Sequence, residues 1–484
     1  MPTVNPRVVR NLVTPLAILL IAGTAFAGTP TLDYSFRVIA RTKTQAAQPN
    51  AIGVPNNSQL SANFAIDDQG NAIVRFSGLL GGDGVIRYNA ADGSIITLAT
   101  TTDGDLTGEV DARNGIFSIR DISSVIRTYA LDGSPINTFN LGGSAGTTGS
   151  VNGARLSDNG RVAYRAQAGA DVKLILDEIQ PPATRTQFTY LTAAAPITFI
   201  YSPTVNGSGQ LADRVDATNG GTSSFGQIRR YNAPPQSGFV TTINLANNAT
   251  FNSISQLLDL NDAGQLAFYA RLTGTPALNL YRTAADGVTR TLIANPTVSP
   301  LTISEFAFFP PAISESGLVA FRARDFNGQA IYLGDGASLV KLIGNGATID
   351  SNIGTLNIAA ATVFTGGVRI NNLDQVLFIA KLSDNSDALI IASPMVARCS
   401  AADIAYDNGT PLPPVGQPGG VNNGVTEGDY NLFFGQFFDS GSATDIANDD
   451  GSPLPPFGPL TTNNGVTEGD YNLFFSIFFN GCSN

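Results

Sequence analysis

The chain has 484 residues, with 51 Gly, no His, no Trp, 13% charged residues and a formal net charge of −11. A hydrophobic content of 43% excludes a disordered chain. The acidic balance argues against nucleic acid and anionic membrane as partners, and the lack of His removes imidazole bases, Ser-His-Asp triads and His-held zinc or iron.

Met1 to Ala27 reads as a secretory signal peptide. Arg7 and Arg10 form its basic start, Leu16 to Ala22 its apolar centre and Ala25-Phe26-Ala27 its cleavage site. Its removal takes the net charge from −11 to −13. No later stretch is long and apolar enough to span a bilayer, so the expectation is an exported chain without a transmembrane span.

From there a phrase made of a polar turn and a strand recurs. Its clearest copy is Leu258-Asp259-Leu260-Asn261-Asp262-Ala263-Gly264-Gln265-Leu266-Ala267-Phe268-Tyr269-Ala270-Arg271. Gly264 supplies a positive φ for the turn, and Leu266, Phe268 and Ala270 alternate with Ala267, Tyr269 and Arg271 at strand period. Seven copies place their turns at 70, 115, 160, 209, 264, 317 and 374, spaced 45 to 57 residues apart. Strand-built repeats of that length predict propeller blades. The copy at Gly264 predicts four strands: Ser255 to Leu260, Gln265 to Arg271, Leu278 to Arg282 and Thr289 to Ala294. Asp286-Gly287 between the last two suggests a type I′ turn, echoed at Asp92-Gly93, Asp132-Gly133 and Asp335-Gly336.

The seventh copy ends at Ala392 without a fourth strand, and an orphan strand, Tyr34 to Arg41, precedes the first copy. The reading is a mostly β fold over 28–394, a seven-bladed β-propeller closed by its N-terminal strand, with an open β-solenoid or two smaller β domains as alternatives. The repeat phrase resembles N-[DN]-x-G-x-[VL]-A-F-x-A repeats of secreted bacterial proteins. The motif is structural and carries no catalytic residue across.

At Ser393-Pro394 the pattern stops, and from Cys399 to the end there are ten acids and no Lys or Arg. This segment, 395–484, is itself duplicated. Asn422 to Phe434 equals Asn463 to Phe475 residue for residue. Thr426 with Asp429 three residues later predicts a capping box at a helix start, and Val425 with Tyr430 a hydrophobic staple. Tyr430, Phe433, Phe434, Phe437 and Phe438 then share a helical face, as do Tyr471, Phe474, Phe475, Phe478 and Phe479, so two short helices are expected to pack together. Cys399 and Cys482, the only cysteines, bracket the segment and read as a disulfide in an exported chain.

The arrangement resembles a dockerin, of the bacterial dockerin-like anchors framed by a Cys and a terminal Gly-Cys. The resemblance implies a small α-helical C-terminal domain with two calcium loops. Asp403, Asp407, Asn422 and Asp429 would be ligands in the first, and Asp445, Asp449, Asn463 and Asp470 in the second. A Pro/Gly-rich insertion separates the first ligand from the rest, and Ala405 and Ala447 stand where the motif has a ligand. Asp429 and Asp470 alternatively do no more than cap helices. The resemblance also implies a cohesin-like or sorting partner for the tail.

No Gly-rich phosphate loop occurs in a strand-to-helix context. Glu109, Glu178, Glu305 and Glu315 are available for glycoside chemistry, but nothing pairs them in sequence. Asp68, Asp158 and Asp262 read as turn formers. The functional expectation is a secreted protein whose propeller binds a protein or glycan at the cell surface and whose tail attaches it there. The alternatives are a carbohydrate-active enzyme, or a tail that is a sorting signal removed after export.

Overall fold

The computed structural model describes residues 34–78, 82–101, 108–120, 125–140, 150–158, 161–168, 171–178, 187–194, 196–218, 224–234, 238–296, 303–394, 400–412, 425–439, 442–454 and 462–479. The signal-peptide reading and both cysteines lie outside these residues, as does Asn422.

Seven antiparallel sheets follow one another along the chain and form a seven-bladed propeller. Their innermost strands are Ser58–Ile66, Val110–Arg113, Ser150–Leu156, Ile197–Ile200 with Thr204–Val205, Phe251–Leu260, Glu305–Phe306 with Ala312–Ile313, and Phe364–Ile370. We number the blades 1 to 7 in that order. In blade 5 the inner strand begins at Phe251, four residues earlier than the sequence suggests, and is followed by Leu266–Leu272, Leu278–Thr283 and Arg290–Ala294.

The burial pattern explains why these strands are apolar on both sides. Leu266, Phe268 and Ala270 pack with Ala212 and Ile228 of blade 4. Ala267 and Tyr269, on the opposite side of the same strand, pack with Val319, Phe321 and Tyr332 of blade 6. A blade buried on both faces reads as a near-continuous hydrophobic run, and no blade can be dry without its neighbours. The last such interface joins Leu377, Ile379 and Ile391 of blade 7 to Leu60, Phe64 and Ile66 of blade 1.

Blade 7 contributes Phe364–Ile370, Val376–Lys381 and Asp387–Pro394 from its own repeat. Tyr34–Arg41 lies antiparallel on its outer edge, from Tyr34 opposite Pro394 to Arg41 opposite Ala388. Val38, Ile39 and Ala40 of this strand are buried. A hairpin, Thr348–Ser351 and Gly354–Asn357, continues the sheet beyond it, with Ser351 pairing in parallel with Phe36, an extension with no counterpart among the described residues of the other repeats.

The outer hairpin turns differ from the expected type I′. That turn needs positive φ at both central residues. Gly287 has φ +73°, but Asp286 is not among the residues with positive φ. The Asp286 carboxylate instead accepts from the backbone N–H groups of Val288 (2.7 Å) and Thr289 (2.8 Å), which favours a longer loop. Type I′ geometry occurs at Asn114-Gly115, where φ is +47° and +73°.

In the C-terminal segment two helices are described, α1 (Glu427–Phe437) and α2 (Glu468–Phe478). Both start with the capping box, Thr426 with Asp429 and Thr467 with Asp470. The helices pair through reciprocal ring contacts. Phe433 stacks on Phe474 at 4.0 Å, while Tyr430 meets Phe478 and Phe437 meets Tyr471. The shared aromatic face is narrower than its sequence spacing suggests, because Phe438 and Phe479 stand 78% exposed. No described helix is long and apolar enough to cross a membrane.

Candidate functional site: the central channel

The repeat turns meet at one end of the channel and are laced into a ring. Asn206 donates its amide to the Asn261 carbonyl (3.0 Å), Asn261 to that of Ser314 (2.9 Å) and Asn371 to that of Asp67 (2.8 Å). Each of these Asn residues also holds its own turn, accepting from the backbone N–H of Gln210, Gln265 or Gln375. The following acids lace in the same way. Asp262 accepts from the Gly207 backbone, Glu315 from Asp262 and Ala263, and Asp68 from Asn372. The recurrent Asn and Asp thus form turns, as their sequence suggests, and also join one blade to the next.

Blade 2 breaks this pattern. Where the other inner strands are followed by Asp67, Ser157, Asn206, Asn261, Ser314 and Asn371, blade 2 has Arg113. Its guanidinium lies 3.6 Å from Asp68, 3.4 Å from Asp158 and 3.3 Å from Asp262, carboxylates of blades 1, 3 and 5. Those three carboxylates raise the arginine's pKa against the effect of burial. Burial pushes Asp158 up to about 6, with Asp262 and Asp68 adding to the shift and Arg113 opposing it.

Above this floor is a cavity of about 450 Å³ lined by residues of all seven blades. That size is typical of small-ligand sites. The residues two positions before each turn, in blade order, are Ala65, Asp111, Arg155, Thr204, Asp259, Ala312 and Arg369. Four of them are charged and line the cavity. Asp111 accepts from the Leu156 backbone (2.7 Å), and Asp259 accepts from Thr204 Oγ1 (3.0 Å) and the Ile313 backbone (3.1 Å). Glu109 accepts from the Ala154 backbone (2.9 Å) and lies 3.7 Å from Arg120. Burial raises the pKa of Asp259.

The two arginines are differently placed. Arg155 reaches only the Ala154 carbonyl (3.5 Å) and Arg369 only the Val368 carbonyl (3.4 Å). Neither has a carboxylate within ion-pair distance among the described residues. Burial, then the proximity of Arg155, lowers Arg369 to about 10, so it remains charged at neutral pH. Phe199 and Tyr201 also line the cavity, with Phe199 42% exposed. A second, apolar hollow of about 240 Å³ shares Gln256 and Leu257 with it and ends at Phe308, which is 76% exposed.

Of the glutamates singled out in sequence, Glu109 enters the cavity and Glu315 the turn ring, whereas Glu305 sits on an exposed short strand. Glu178 ends a strand of blade 3. No local motif marks Arg113, Arg155, Arg369, Asp111 and Asp259 in the sequence. Their signal was register: each occupies a fixed position relative to its turn, visible once the copies are aligned.

In the tail, Asp429 Oδ1 accepts from the backbone of Ile404 (2.6 Å) and Ala405 (2.7 Å), and Oδ2 from the backbone N–H (2.7 Å) and hydroxyl (3.3 Å) of Thr426. Asp470 repeats this with Ile446, Ala447 and Thr467. Both carboxylates are fully buried and have all four lone-pair directions engaged. They do not fit a hard cation that needs six to eight oxygens. Asp403 is buried close to Asp429, whose pKa it helps burial to raise. In the second copy Asp445 accepts from the Asn463 amide (2.9 Å), and Asp449 from the Asn464 backbone (3.0 Å). Asp407 is half-buried in the loop before α1. Among the described residues no three acids converge as metal ligands.

The chain is similar in fold to the β-propeller domain of the Trilobed protease from Pyrococcus furiosus, at 11% identity over 70% of this chain and 94% of that one, with a TM-score of 0.43. It is also similar to the acylaminoacyl peptidase of Pyrococcus horikoshii, at 9% identity over 69% of this chain and 52% of that one, with a TM-score of 0.41. This likeness concerns the propeller fold alone. No family model and no curated protein matches the chain.

Proposed function

We propose that this is an exported recognition protein, in which the propeller binds a glycan or protein through the open side of its channel and the tail attaches it to a cell-surface or extracellular partner. The observation that carries the reading is the seven-blade cavity, with its charged wall and the aromatic residues Phe199 and Tyr201 beside it. Binding is favoured over hydrolysis because Glu109, Asp111 and Asp259 each already hold a neighbouring blade's backbone. Moving one of these side chains towards a substrate would release that contact. Pairing of Tyr34–Arg41 with blade 7 is, in this reading, the lock that keeps the ring rigid enough to recognise a ligand.

Attachment through the tail is the second part of the proposal. Calcium would be held there by the loop residues Asp403, Asp407, Asp445, Asp449 and Asn463, with Asn422, and not by the capping carboxylates. A disulfide between Cys399 and Cys482 would close the segment. The test of recognition is an array of glycans and surface proteins probed with the full chain. Retention of a ligand by the wild type is expected, and a blank array removes the reading. Attachment is tested by comparing cell-bound and free fractions of the full chain and of a chain ending at Pro394. Calorimetric titration of the full chain with calcium, beside melts in chelator, tests the metal.

A further inference from the structure

Arginine forks are seldom left unspent in a protein interior, because a desolvated guanidinium loses water without gaining partners. Arg155 and Arg369 each make one long bond to the preceding carbonyl and otherwise face the channel. Arg165 lines the same cavity and is buried. The lining carries four cations, Arg113, Arg155, Arg165 and Arg369, against three carboxylates, Glu109, Asp111 and Asp259, and the three carboxylates act on both Arg155 and Arg369. The local balance is one positive charge, inside a chain whose overall charge is strongly negative.

A monoanion neutralises that excess, whereas a dianion would confront Asp111 and Asp259 unpaired. Guanidinium forks match a carboxylate in two parallel hydrogen bonds. Asp111 has one carboxylate oxygen outside its backbone bond, able to accept from a hydroxyl group. The Phe199 and Tyr201 rings, edge-on at 4.7 Å, each have one face covered by Arg165 or Arg214, and Phe199, 42% exposed, offers apolar area to the C–H face of a sugar ring. The volume of about 450 Å³ suits one or two such rings.

We propose that the channel binds a polyhydroxylated monocarboxylate, a sugar acid of the uronate class, with Arg155 and Arg369 taking the carboxylate and Asp111 a hydroxyl. The proposal rests on the recognition reading above and names the chemistry of that same site.

The experiment is calorimetric titration of the full chain with sodium D-glucuronate, D-glucuronamide and D-glucose. Saturable binding of glucuronate is expected, with glucuronamide and glucose at least ten-fold weaker. Because glucuronamide differs only by replacing the charged oxygen with an amide, the comparison tests the charge without altering the fold. Arg369→Gln and Arg155→Gln, checked for an unchanged melting profile, should each weaken glucuronate at least ten-fold. Equal affinity for all three sugars, or no heat with glucuronate, overturns the proposal. So does glucuronate binding that both variants leave unchanged. If the array retains a neutral glycan or a protein while glucuronate gives no heat, only the anion assignment fails. A blank array together with no heat removes the recognition reading as well.

Discussion

The turn asparagines show how much one side chain can carry. Asn261 is 2% exposed and bonds its own turn on one side and the next blade on the other. Asn261→Ala leaves the Ser314 carbonyl and the Gln265 amide without that partner. Losing buried hydrogen bonds of this kind costs about 1–3 kcal/mol. The expected outcome is a lower urea midpoint at an unchanged slope, whereas an unchanged midpoint would show that the lace contributes nothing. Asp158 makes a prediction about pH. Its folded pKa, about 6, lies above its ordinary value. Between about pH 4 and pH 6 the folded state therefore keeps a proton that the unfolded state releases, and this group's contribution to stability falls as pH rises through that window. Asp213, buried and pushed up to about 7, adds a loss of the same sign that extends higher. Asp158→Asn should become more stable relative to wild type between pH 4.5 and pH 7.5, as read from urea midpoints at the two values. A constant difference would remove the assignment.

Single elements decide whether the ring and the tail hold together. The strand Tyr34–Arg41 covers the outer edge of Asp387–Pro394, and an uncovered edge strand is a template for association. Val38→Asp places a charge where Val38 is 3% exposed, against Ile390 and Ala392. The variant should melt lower and self-associate in gel filtration, while a monomer of unchanged stability would mean that the strand is dispensable. In the tail, Phe433 is fully buried against Phe474, whereas Phe438, which caps the C-terminus of the same helix, is exposed. Phe433→Ala should destabilise the segment by about 3–5 kcal/mol. Phe438→Ala should leave it within about 0.5 kcal/mol of wild type. Limited proteolysis of the tail would report both.

For the whole molecule, the propeller is built from interfaces that each blade shares with two neighbours, so its channel is a property of the ring and of no single repeat. Arg113 shows this most clearly. It comes from blade 2 and meets carboxylates of blades 1, 3 and 5. Arg113→Ala would leave those carboxylates facing one another. The expected result is a loss of stability at pH 7.5 that is partly recovered at pH 5, where protonation relieves the repulsion. Equal losses at both values would show that the arginine acts through packing alone.

Seven repeats, their turns and the two capped helices were legible in the chain, because period-2 alternation, a glycine such as Gly264 and the Thr-x-x-Asp spacing are local signals. Local chemistry also explains where sequence and structure differ: an Asp-Gly pair suggests a two-residue turn, but the Asp286 side chain stabilises a longer one. Channel residues were not legible in the same way. Arg155 and Arg369 are 214 residues apart, and nothing in the local pattern distinguishes a strand arginine that faces solvent from one that faces an axis. Repetition by itself determined that the chain would form blades. Only closure of the ring decided which charges would share one cavity, since their neighbourhood exists only when all seven inner strands converge.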